Sequence, residues 1–276
     1  MAITATDVKD LRDKTGLGMM ECKKALTETD GNVEEAVDLL RQKGLAKMDD
    51  RSDRAAAEGR IATAVSDDKH RGVIVEVNTE TDFTAGNDEF AAMMEKVADS
   101  ALTQDPGQVE KTDEIQAAID EVRLTTKENA QFARGEVLGG DDSYVGSYVH
   151  FTGKVGVLLQ LTGEVDDQLM TDLCMHVAAI SPAPLGVTQD DIDDAMVERE
   201  REIARQQAID EGKPEQIVDK IVEGKIRKFY EERALLEQGF IKDDKQQVKD
   251  LLPEGVTIKN YVRYALGEGD EAADEG

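Results

Sequence analysis

The chain is 276 residues long, 39% hydrophobic and only 4% aromatic, with no Trp, so its core must rest on aliphatic and small side chains. Its 60 acids against 33 bases leave a formal charge of -27, which repels phosphate backbones and anionic lipid headgroups alike, so direct nucleic-acid and membrane partners are not expected. Two cysteines, Cys22 and Cys174, stand in unrelated contexts without a CxxC pair, which suits small buried free thiols in a reducing compartment.

Residues 1–45 read as a compact three-helix module. Thr6 can cap a helix over "DVKDLRDKT", with Val8 and Leu11 on one face, and "GLG" then turns the chain. A second helix through "MMECKKALTETD" stops at Asp30-Gly31. Asn32 and Glu35 form a capping-box-like start for a third, with Gly44 as its C-terminal stop. Three short helices around one small core resemble the ubiquitin-associated fold, which by itself only suggests docking. Residues 46–60 are charge-rich, lack a sustained apolar stripe and read as a linker.

Residues 61–140 form a first α+β subdomain. "IATAVS" and "RGVIVEVN" predict a hairpin, and the second strand is apolar on both faces, through Val73, Ile74, Val75 and Val77. The polar stretch "NTETDFTA" follows, with one large apolar residue, Phe83, beside Asp82. Phe90, Met94, Val97 and Ala101 then mark a helix. Residues 105–140 predict one or two more helices, with Ile115, Ile119 and Val122 as the stripe. Residues 141–189 repeat the pattern: "SYVHF" and "KVGVLLQL" as strands, then a helix through Leu169, Leu173, Val177 and Ile180. Aligning "RGVIVEV" with "VGVLLQL" places about four extra residues between strand and helix in the first copy. They fall in the stretch that holds Asp82 and Phe83.

Residues 190–238 are charged and helical, broken at "EGKP". Ile192, Met196, Ile203 and Ile209 before the break, and Ile217, Ile221, Val222, Ile226 and Phe229 after it, predict a protruding antiparallel helical hairpin. Residues 239–267 return to the second subdomain and end in a strand rich in Val, Ile and Tyr. The acidic tail at 268–276 lacks apolar anchors. The fold class is therefore α+β. The N-terminus lacks the pattern of a signal peptide, and no apolar run approaches the roughly 20 residues that span a bilayer, so a cytoplasmic protein is expected.

Little in the sequence points to covalent chemistry. His70, His150 and His176 have no metal-ligand spacing, and there is no GxSxG or Cys/His signature. "GSYVHFTGKV" has six residues between its glycines, against four in a phosphate loop, and Val155 follows the lysine. A binding or regulatory protein is favoured over an enzyme, with no cofactor and no metal of its own.

In order along the chain, "VKDLRDKTGLGMMECKKALTETDGNVEEAVDLLR", "EVNTETDF", "GSYVHFTGKVGVLLQL", "MHVAA", "GKPEQIVDKIVEGKIRKFYEE" and "VRYALGEG" resemble the elongation factor Ts family of bacteria. The resemblance implies a guanine-nucleotide exchange factor for elongation factor Tu, binding its GDP-bound and nucleotide-free forms and displacing the partner's Mg²⁺ and GDP. It implies that Thr81, Asp82, Phe83 and Thr84 form the loop associated with Mg²⁺ displacement. Phe83 would wedge between helices of the GTPase domain, with Asp82 engaging polar groups beside it. Arg12, Met19 and Met20 match the family's N-terminal docking surface, and His150 a partner contact on the second subdomain. Self-association is left open. The rival reading is a non-catalytic scaffold or chaperone-like adaptor, which would bind a partner without accelerating GDP release.

Overall fold

In the computed structural model, which describes residues 3–15, 17–49 and 54–268, the chain opens with α1 (Ala5–Thr15), α2 (Met19–Glu28) and α3 (Val33–Asp49). Thr4, not Thr6, caps α1. The Thr4 hydroxyl accepts from the Asp7 amide at 3.2 Å, and the Asp7 carboxylate accepts from the Thr4 amide at 2.8 Å. This reciprocal pair satisfies two end donors and leaves Thr6 inside the helix. Asp30 and Gly31, both at positive φ, turn the chain out of α2. Asn32 Oδ1 then accepts from the Glu35 amide at 3.3 Å to start α3. Leu11, Cys22, Leu26, Ala36 and Leu40 form the small core between the three helices.

Gly44 does not end α3, which continues to Asp49. A Cβ at Gly44 would run into the Leu124 side chain, so the glycine serves close packing of α3 on α6 (Asp113–Thr126) rather than termination. The predicted linker 46–60 is correspondingly shorter: residues 46–49 finish α3 and 58–60 open the first strand. Residues 50–53 of that linker, Gly16 of the predicted turn and the acidic tail beyond Glu268 lie outside the described residues.

The first sheet has the order β1-β2-β4-β3, from β1 (Glu58–Val65), β2 (Arg71–Thr79), β3 (Gly107–Gln108) and β4 (Gln131–Gly139). Alternate residues of β2, Val73, Val75 and Val77, pack with Phe90, Met94, Val97 and Ala101 of α5 (Asp88–Leu102) and with Ile115, Ile119 and Val122 of α6. Ile74 points to the other face, where it meets Ile61, Leu138, Val145, Leu158 and Tyr264. A strand buried on both faces favours apolar residues throughout, which explains the run Val73-Ile74-Val75 and Val77, with Glu76 buried among them.

Residues 131–139 are a strand where helices were expected. β4 lies antiparallel against β2, and Arg134 Nε donates to Glu76 Oε2 at 2.8 Å across the pair. Arg134 finds its partner on the neighbouring strand and Gly135 interrupts the segment, so it lacks the clean apolar alternation that marks a strand.

The second sheet, in the order β5-β6-β9, comprises β5 (Tyr144–Val149), β6 (Val155–Leu161) and β9 (Ile258–Ala265). It is built as the first is. Val157, Leu159 and Leu161 pack against α7 (Asp167–Ala179), while Leu158 enters the cluster shared by both sheets. Both central strands shift register after a buried polar residue, Glu76 in β2 and Gln160 in β6. The two hairpin turns, 66–70 and 150–154, have equal length. The Val145 amide donates to Lys69 O at 2.7 Å and the Ile61 amide to Gly153 O at 2.8 Å, so each turn ties down the first strand of the other hairpin. Thr63 Oγ1 donates to Ser147 Oγ at 3.0 Å midway between them.

Residues 190–238 contain α8 (Asp194–Asp210) and α9 (Glu215–Arg233), joined by a short turn. Their seam is Val197, Ala204 and Ala208 against Val218, Val222 and Ile226. Met196, Ile203, Ile209 and Ile217, expected as anchors, are exposed. The alanines bring the helices close, and a stripe drawn through the large residues lands one position off. Two short strands, β7 (Gly239–Phe240) and β8 (Asp243–Gln247), lead on to β9. No helix among the described residues is long and apolar enough to cross a membrane.

Candidate functional site

The stretch between β2 and α5 spans residues 80–87, against 162–166 between β6 and α7. The added length is spent on one helical turn, α4 (Asp82–Ala85). Thr81 caps it, with Oγ1 accepting from the Thr84 amide at 3.3 Å, and Asn87 caps the following α5. Sequence thus closes two helix starts around a four-residue turn, and a turn this short is shaped by its ends.

Glu128 fixes the turn from outside. Its carboxylate accepts from Thr81 Oγ1 at 2.7 Å, from the Thr81 amide at 3.1 Å and from Thr79 Oγ1 at 3.1 Å. Burial pushes this carboxyl toward protonation, but the hydrogen bonds from Thr81, Thr84 and Thr79 outweigh it and hold the pKa below the ordinary glutamate value. Glu80 is bound from the same side, its Oε1 accepting from the Asn129 amide at 2.7 Å. Thr84 and Ala85 are buried beneath the turn, whereas Asp82 and Phe83 face solvent, Phe83 at 86% exposure.

The second hairpin turn adjoins this one. Arg60 Nη1 donates to Ala85 O at 3.5 Å, and its side chain lies against Gly153 so closely that a Cβ there would stand 2.8 Å from Arg60 Cγ. Lys154 Nζ donates to Glu58 Oε2 at 2.8 Å, and this bond first, with a smaller contribution from the Asp82 carboxylate, holds its pKa above the ordinary lysine value. His150 sits in the same turn with Nδ1 2.7 Å from Thr152 Oγ1, and its ring lies 4.3 Å from that of Phe151. The structure therefore brings Asp82, Phe83 and His150 to neighbouring turns.

Arg12, Met19 and Met20 are elsewhere, on the N-terminal helices. All three are exposed, so neither methionine belongs to the module's core. The module is tied to the site indirectly, by Gly44 on Leu124 and by Lys127 Nζ 3.8 Å from Glu21 Oε2, next to Glu128.

Glu128 and Arg60 are not among the residues expected at the site, and His150 and Phe151, expected in the strand "SYVHF", lie in the turn after β5 instead. Glu128 and Arg60 are single charges far along the chain from the loop they hold. Phe151, 87% exposed in a turn, carries the same signal as Phe83. Of the other histidines, His176 is buried between Gln238 and the Ile241 amide, and His70 Nδ1 lies 2.7 Å from Ser143 O. Among the described residues, no group of three or more His, Cys, Asp or Glu could hold a metal ion.

Two comparisons with known proteins bear on this arrangement. The family model described as elongation factor TS matches residues 80–268, which begin at the turn itself. An elongation factor Ts from Alkalilimnicola ehrlichii is 44% identical over 283 aligned positions, covering 100% of this chain and 96% of the relative. The chain belongs to the elongation factor Ts family, the guanine-nucleotide exchange factors that serve elongation factor Tu in translation elongation.

Proposed function

We propose that the chain promotes GDP release from elongation factor Tu by inserting the Asp82-Phe83 turn into the GTPase domain. The observation that carries this reading is Phe83, a large apolar side chain left 86% exposed on a turn whose opposite side is buried at Thr84 and Ala85 and hydrogen-bonded through Thr81. Burying one phenylalanine in a partner pocket is worth about 1.5–3 kcal/mol, or roughly ten- to a hundredfold in affinity. A turn already held by Glu128 loses little further freedom on docking, so more of that energy is available to displace the partner's helices. A displaced helix disturbs the partner's Mg²⁺ ligation, and the GDP phosphates lose their counter-charge. Exchange follows from linkage. A factor that binds the nucleotide-free state more tightly than the GDP state is itself displaced when GTP binds.

In this reading Asp82 engages polar partner groups beside the wedge, and His150 contacts the partner from the second hairpin. Thr81 and Thr84 hold the turn from within and do not touch the partner. The module at 1–49, a ubiquitin-associated-like docking unit, presents Arg12, Met19 and Met20. Two duplicated α+β subdomains carry the turns, and the α8–α9 hairpin projects from the second. The chain requires no cofactor, performs no covalent chemistry and binds neither nucleic acid nor membrane. It works in the cytoplasm.

Stopped-flow release of a fluorescent GDP from elongation factor Tu tests the reading. Accelerated release on adding the chain supports it. Binding without acceleration would instead support the scaffold or chaperone-like adaptor.

A further inference from the structure

The geometry points to Phe151 as a second aromatic contact with the GTPase, acting beside Phe83 as a two-point apolar grip. This inference rests on the exchange reading above and extends it to a residue on the other subdomain.

The chain has six phenylalanines. Phe90 and Phe240 are buried, and Phe132 and Phe229 are packed against core clusters. Only Phe83 and Phe151 are left in solvent, at 86% and 87% exposure. The two stand on adjoining turns bridged by Arg60, which donates to Ala85 O in one and packs on Gly153 in the other. Isolated exposed apolar residues are ordinary. Here the two rings stand on turns that adjoin through Arg60, in a chain this poor in aromatics, and one of them is the proposed wedge.

The first hairpin closes the same way without a ring at the matching position. In both hairpins the residue after the last strand donates its amide to the first residue of the next strand: Ser66 to Arg71 O at 2.9 Å, and His150 to Val155 O at 2.9 Å. Both turns then close alike, Lys69 N on Ser66 O and Gly153 N on His150 O, each at 2.8 Å. The place of Phe151 is held in the first turn by Asp67, which is exposed. The same backbone thus closes with an acid at this position. The aromatic stands on the turn that adjoins Phe83, and the acid on the turn that does not.

The second turn is also held in place. The Ile61 amide of β1 donates to Gly153 O at 2.8 Å, and the ring of His150 lies 4.3 Å from that of Phe151. An aromatic fixed in this way gives contact area at small entropic cost, the property of binding hot spots.

The test is the affinity of the full chain for nucleotide-free elongation factor Tu, measured for the unaltered protein and for Phe151→Asp. That substitution places in the second turn the residue found at the same position of the first, and unchanged circular dichroism and melting temperature would show that the fold is kept. Phe151→Leu, apolar but not aromatic, should retain part of the affinity. The assignment predicts that Phe151→Asp weakens binding at least fivefold. A smaller loss overturns it. If the unaltered chain neither binds nor accelerates GDP release, the exchange reading fails and this inference fails with it. If the unaltered chain does both and Phe151→Asp binds as well as it does, only the role of Phe151 is lost.

Discussion

Phe83 and Thr84 are neighbours on one helical turn and face opposite ways, Phe83 86% exposed and Thr84 7%. The inward threonine and its capping partner Thr81 both reach the Glu128 carboxylate, and the outward phenylalanine touches nothing in its own chain's core. The turn therefore divides its residues between a holding set and a presenting set. Changes in the two sets should have different signatures, stability for one and exchange for the other.

Glu128→Ala removes the acceptor for three hydrogen bonds to Thr79 and Thr81. It should cost about 1–3 kcal/mol of stability at pH 7 and slow GDP release, although in this account Glu128 does not touch the partner. The carboxyl's pKa is lowered by folding, so its contribution is present above the unfolded value of about 4.3 and lost as pH falls through the folded value. Urea unfolding of both proteins should show the stability difference shrinking from pH 7 toward pH 3.

Gly156→Ala should destabilise by about 1–3 kcal/mol, because a Cβ there would lie 2.5 Å from Ile61 Cγ2. Gly72→Ala should behave the same way, since its Cβ would lie 2.7 Å from Val145 Cγ1 and 2.8 Å from Leu158 Cδ1 in the mirrored contact. Gly224→Ala, within α9 and with open space around it, should stabilise by about 0.5–1 kcal/mol. Thermal melts of the three variants check all three signs.

His176 is buried, with Nδ1 accepting from the Ile241 amide at 3.2 Å and Nε2 3.2 Å from Gln238 Oε1. Burial lowers its pKa, and the Gln238 bond offsets this only in part. The unfolded chain therefore takes up this proton first. Stability should fall as pH drops below about 6.5 and level off below the folded value. In His176→Gln the slope between pH 6.5 and 5 should flatten, as read from unfolding free energies at several pH values.

Removing residues 1–49 should weaken binding to elongation factor Tu about tenfold or more while the two sheets keep their fold. Isothermal titration against the nucleotide-free partner, with circular dichroism as the control for folding, measures this. The cut falls after Asp49 because α3 ends there, five residues beyond Gly44.

The parts legible in sequence were those whose signal is local. β2 and β6 are short apolar runs, α5 and α7 have stripes at helical spacing, and Phe83 is an aromatic in a polar loop. What escaped depends on partners distant in the chain. β4 is recognisable only once Arg134 is set opposite Glu76. The α8–α9 seam runs through Ala204 and Ala208, which a search for large apolar residues passes over. Gly44 looks like a helix stop until Leu124 is found beside it. Glu128 is one acid among 60, and nothing near it in sequence sets it apart.

The most direct test of the wedge is Phe83→Ala in stopped-flow release of fluorescent GDP from elongation factor Tu. Because the side chain is exposed, unfolding free energy should change by less than about 0.5 kcal/mol. Catalysed GDP release should slow roughly tenfold or more, in line with the about 1.5–3 kcal/mol of burial the ring would lose. A variant that folds normally and releases GDP as fast as the unaltered chain would contradict it.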